Sequence, residues 1–179
     1  DRGTLTRVDD RVASFSSKGP SLLDQVVKPD VVAPGNRIIA GLAPGTTIPT
    51  TYPTLVIDKS YYSGNTGSSP YLRLSGTSMA TPVVAGIVAT MLHKDSTLSP
   101  DTVKLRLMKT AAKTTFPVSD SYFHRPTGIT YFNQYDVFTI GAGYVDAQAA
   151  VNATDVAPAG ARALSPKAVF NSATNSASL

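Results

Sequence analysis

The stretch LSGTSMATPVVAG, residues 74–86, sets Ser78 behind Gly76 and Thr77 and directly before an apolar run. A serine at the mouth of a helix is ordinarily an N-cap whose oxygen accepts a backbone N–H. The other reading is a nucleophile. Unpaired N–H groups and the positive end of the helix dipole favour an anion forming on a carbonyl that the hydroxyl attacks. Gly76 is free to take unusual backbone angles, and Thr77 and Ala80 keep the surroundings small. These residues alone leave both readings open.

The run after Ser78 is apolar nearly all round and predicts a helix passing through the interior, with Ala80, Ala85, Gly86 and Ala89 admitting neighbouring backbone. Pro82 is expected in its first turn, where a missing N–H costs nothing, and His93 with Lys94 marks its solvent-facing end. Ser99, Pro100 and Asp101 announce a second helix, whose Lys104, Arg106, Lys109 grouping reads as a solvated face with the lysines outward. Asp146 caps a third, short one.

Upstream, residues 12–15 form a strand candidate ended by the turn SSKGP. Residues 31–33 lie between Pro29 and Pro34 as a buried extended piece, and RIIA at 37–40 is another strand candidate. Residues 41–70, rich in Gly, Pro, Ser and Thr, read as a long loop with a binding role or mobility. Its tyrosines Tyr52, Tyr61 and Tyr62, with the neighbouring Tyr71, either line a groove or pin the loop to the body. Residues 115–139 read as irregular, and the tail beyond residue 154 as loosely held or extended across the surface.

The 179 residues, 42% of them hydrophobic, suit one sizeable core. With no cysteine, disulfides and cysteine zinc sites are excluded, and His93 and His124 are too few for a histidine-rich metal centre. The net charge of +4 is spread without a basic, aromatic-interleaved stripe, so no nucleic acid partner is expected, and no apolar run reaches the ~18 residues of a membrane span. The opening DRGTLTRVDD has neither an initiator Met nor the apolar core of a signal peptide, which suggests a processed chain or a piece of a larger one.

GTSMATPVVAG resembles the nucleophile motif of the subtilisin-like serine proteases. VASFSSKGP (12–20), KPDVVAPG (28–35) and GAGYVDAQAA (141–150) resemble the same family in the same order, so the likeness runs from about Asp10 to Asn152. It implies a three-layer α/β fold with a mainly parallel sheet, this chain supplying the C-terminal half of the catalytic domain over residues 1–154 and an extension over 155–179. It also implies that Ser78 attacks the scissile carbonyl and donates its own N–H to the oxyanion. Phe15 with the 16–20 turn, and Leu74 with Ser75, would lie near the primed substrate side, with Met79 packed behind Ser78. Val83 stands where many relatives have a histidine, a structural rather than chemical difference.

A serine nucleophile needs a base and an orienting acid. No histidine precedes Ser78. His93 is fifteen positions along the same expected helix, about 22 Å away at the usual rise, and His124 sits in a segment that reads as an aromatic-anchored loop. The resemblance therefore implies that the catalytic Asp and His and the oxyanion Asn come from a complementary N-terminal half. No cofactor is needed for the chemistry. Structural calcium is expected mostly in that half, although Asp30 either contributes to a cation site or closes a turn. Protein or peptide substrates and an extracellular or wall-associated location follow from the family. The alternative is a non-catalytic binding or scaffold module on the same fold.

Overall fold

The structure, a computed structural model, describes residues 4, 6–64, 67 and 69–179. Part of the opening DRGTLTRVDD and residues 65, 66 and 68 of the long loop lie outside the described residues. The chain divides into two compact units, Pro34–Val83 and the remainder on either side of it.

Within Pro34–Val83, strand β1 (Ile38–Gly41) pairs antiparallel with β2 (Tyr71–Leu74), Ile38 opposite Leu74 and Ile39 opposite Arg73. Between them the chain makes a short helix α1 (Ile48–Thr51) and two 3-10 turns, Pro53–Leu55 and Lys59–Tyr61, the second capped by Asp58. This excursion is pinned along β2. Leu42 N–H donates to Pro70 C=O at 2.7 Å and Ile57 N–H to Tyr71 C=O at 3.0 Å. Tyr62 meets Tyr71 edge to face at 5.6 Å and bonds buried Ser69 through its hydroxyl at 2.9 Å. All four tyrosines are exposed, but Tyr62 and Tyr71 are anchored by these contacts. Helix α2 (Thr77–Lys94) starts in this unit.

In the other unit, the later turns of α2 present Ile87 and Met91 to Val103 and Leu107 of α3 (Pro100–Thr110), and Val145 and Ala150 complete the core. Ser99 caps α3 through the N–H of Thr102. The segment read as irregular is a hairpin, β3 (Ser119–His124) with β4 (Ile129–Gln134), followed by α4 (Val137–Ile140). Asp146 caps α5 (Ala147–Asn152) through Ala149 N–H. The chain then runs extended to a last hairpin, β5 (Val169–Asn171) with β6 (Ser176–Ser178). Between Ala112, Val32 and Tyr144 the main chains approach so closely that a Cβ on Gly143, at φ 123°, would stand 2.3 Å from the Ala112 oxygen. Only glycine fits there.

The expectation of a mainly parallel sheet is overturned. The described residues form an α/β arrangement with three two-stranded sheets, all antiparallel. Two of them are hairpins with short turns, a connection that permits only antiparallel pairing. The best candidate for a parallel strand, residues 31–33, makes a single parallel bridge from Val32 to Tyr144, because Pro29 and Pro34 flank it and donate no N–H to a longer ladder. Residues 12–15 form no strand. Nor does α2 pass through an interior: Ile87 and Met91 are buried, while Ala85, Gly86, Ala89 and Leu92 are exposed.

Candidate active site

Helix α2 starts two residues earlier than a Ser78 cap requires, so Ser78 lies inside its first turn. The cap position falls to Gly76, whose C=O accepts from Met79 N–H at 3.0 Å and Ala80 N–H at 3.4 Å. Ser78 is exposed, and neither its hydroxyl nor its backbone N–H has a hydrogen-bond partner among the described residues. An exposed hydroxyl and an open N–H on one residue at the positive end of a long helix can serve together as attacking group and anion donor.

Pro82 is the sixth residue of α2, not part of its first turn. A helical N–H at that position would bond the Ser78 carbonyl four residues back, and proline has none to give. The Ser78 carbonyl therefore loses its ordinary helical donor.

The turn before the helix is held by residues that sequence reasoning did not connect to it. Gly76 N–H donates to Gly35 C=O at 2.8 Å, and a Cβ on Gly35 would stand 2.7 Å from the Gly76 oxygen and 3.1 Å from Ala80 Cβ. Gly76 itself has room, since a Cβ there would meet Met79 Sδ at 3.5 Å. The steric demand sits on Gly35. Ser75 Oγ donates to Asn36 Oδ1 at 2.9 Å and accepts from Arg37 N–H at 2.8 Å, tying Ser75 to the chain entering β1. The spacing APGN before a strand was the available signal, but no local rule pairs it with residues some forty positions later.

The histidines take other places. His93 lies in the last turn of α2, at the opposite end from Ser78, and His124 closes β3, its Nδ1 2.8 Å from Thr127 Oγ1. Phe15 is half exposed in an irregular segment whose Gly19 N–H bonds Phe138 C=O. Asp30 is engaged by Lys28, Lys104 and the Ser165 hydroxyl. Burial acts to raise its pKa, but hydrogen bonds from Lys28, Ser165 and Lys104 together outweigh it and hold the carboxyl below its ordinary value. Two ammonium groups on one carboxylate do not suit a cation site. Among the described residues no group of three His, Asp or Glu side chains stands together as metal ligands.

With Ser78 at the head of α2 and Gly35 beneath it, the chain belongs to the subtilase family, whose model matches residues 4–154. The relationship is to subtilisin-like serine proteases, hydrolases of the peptidase S8 class. Serine protease AprX of Bacillus subtilis (strain 168) is 44% identical over 104 residues, covering 58% of this chain and 21% of that protein. Subtilisin-like protease SBT1.2 of Arabidopsis thaliana is 38% identical over 143 residues, 79% of this chain and 16% of the relative. Subtilisin-like protease SBT3.9 of the same plant is 38% identical over 110 residues, 60% and 12%. The matched region thus spans about a fifth or less of these relatives.

Proposed function

We propose that Ser78 is the nucleophile of a serine endopeptidase, and that residues 1–154 are the C-terminal half of its catalytic domain with 155–179 as an extension. The observation that carries this reading is the exposed, unbonded hydroxyl of Ser78 beside its own open N–H. Family membership supports it.

In this reading Ser78 Oγ attacks the carbonyl carbon of a peptide bond and passes its proton to a base. The carbonyl oxygen becomes an anion that accepts the Ser78 N–H. Collapse returns the proton to the departing amine and leaves an ester on Ser78, which water then hydrolyses. The base is a histidine from a complementary segment, oriented by its aspartate, and an asparagine there completes the oxyanion hole. His93 and His124 are placed at the far end of α2 and on β3, and neither is assigned the role. The residues alone are accordingly inactive without that segment. The chemistry uses no cofactor, structural calcium belongs mostly to the complementary segment, and the working location is extracellular or wall-associated.

The test is treatment of the complete, active protein with a serine-directed fluorophosphonate, followed by peptide mass mapping. Attachment at Ser78 with parallel loss of peptide cleavage is expected. Attachment elsewhere in active protein, or none, removes Ser78 from the chemistry and leaves a scaffold role.

A further inference from the structure

Resting on the reading of Ser78 as a peptide-cleaving group, we propose that the β1–β2 ribbon is a subsite for an acidic, extended segment of the substrate, with Arg37 and Arg73 meeting its carboxylates. The charges of Pro34–Val83 are Arg37, Lys59 and Arg73 against Asp58 alone. Asp58 is committed to its own turn, accepting Ser60 N–H at 2.8 Å. Among the described residues neither arginine has an ion-pair partner. Two guanidinium groups without an ion-pair partner among the described residues therefore remain, Arg73 on β2 and Arg37 directly before β1.

Their placement ties them to Ser78. Arg37 N–H bonds Ser75 Oγ, three residues before Ser78, and Arg73 lies two residues before Ser75 on β2. Arg73 faces Ile39 across the ribbon, so the two side chains share a face, and Ile39 is 57% exposed. Arg37 is exposed and holds φ 58°, a left-handed conformation that a non-glycine residue adopts at a cost. The outer edge of β1 has no partner strand among the described residues. A peptide can add to such an edge through its main chain while guanidinium forks bind its carboxylates.

The test uses the complete protein and peptides that differ only by Glu, Gln or Lys at positions on either side of the cleaved bond. The ratio of kcat/KM for Glu over Gln is expected to be about tenfold at low salt, about threefold from each arginine, as exposed ion pairs allow. It should approach one at about 1 M salt, where screening acts within roughly 3 Å. R37G, which suits a positive φ, combined with R73Q should abolish the preference, and R73K should restore part of it. A Glu:Gln ratio unchanged in the double variant overturns the subsite. If the protein neither cleaves nor takes the phosphonate at Ser78, the peptidase reading falls separately. The subsite is then judged by fluorescence anisotropy of a labelled Glu-rich peptide against its Gln-rich counterpart. Salt-sensitive binding lost in the double variant supports it, and equal binding overturns it.

Discussion

Gly35 and Gly76 are in main-chain contact: the amide of Gly76 bonds the carbonyl of Gly35 at 2.8 Å, and a methyl on Gly35 would stand 2.7 Å from the Gly76 oxygen. G35A must push the turn that leads into α2, because the obstructing atom is backbone and cannot rotate away. A loss of about 1–3 kcal/mol is expected from such overpacking, together with slower phosphonate labelling of Ser78. Urea denaturation and labelling rates on the same sample check both. Unchanged labelling in a destabilised variant would separate Gly35 from the site.

S78A behaves unlike the loss of a cap. The hydroxyl makes no hydrogen bond among the described residues, and alanine is the better helix former, so stability should stay within about 0.5 kcal/mol of the parent. Peptide turnover should fall by several orders of magnitude, since no ester can form. A stability loss of about 1–2 kcal/mol with turnover retained is the signature of a cap and would refute the nucleophile.

P82A restores an N–H opposite the Ser78 carbonyl. The Pro82 ring is exposed, so little packing is lost, and α2 should gain about 2 kcal/mol from removing an interior proline. The urea midpoint should rise. A fall would mean that the Pro82 ring is required for packing.

D30N tests the cluster of Lys28, Lys104 and Ser165. The folded-state carboxyl is held below its ordinary value, so its contribution is complete above the unfolded pKa of about 3.9 and is lost as pH falls through the lower folded value. At pH 7 the variant should be less stable by about 1 kcal/mol, discounted for the partly exposed carboxylate. The gap should close as the pH drops below about 4. Chemical denaturation at pH 7 and pH 3 reads both arms, and a gap that widens in acid contradicts the assignment.

Much of the helical content was legible because its signals are local. Ser99, Pro100 and Asp101 opened α3, and Asp146 opened α5, as caps do. The β3–β4 hairpin was missed although SYFH and ITYF flank a tight RPTG turn, because both faces carry aromatics and no polar alternation appears. Arg106 read as part of a solvated face, yet it is buried with its Nε bonded to Asp155 C=O at 2.7 Å. The acceptor lies forty-nine positions away, beyond the reach of any periodicity. Likewise the motif singles out Ser78 as a candidate, while Gly35, Asn36 and Ser75 hold its turn through contacts that only the folded chain reveals.

The family match stops at residue 154, but the hydrogen bonding does not. Asp155 C=O receives buried Arg106, Ala157 N–H reaches buried Thr102, Ala163 N–H reaches Asp101, and Ser165 joins Asp30 to Lys104. A recombinant swap made at the edge of family likeness would leave the Arg106 guanidinium in a niche only 7% exposed without its carbonyl acceptor. Modules exchanged at this point by gene shuffling must bring a replacement acceptor with them, so the segment that is inherited and the segment that folds end at different residues.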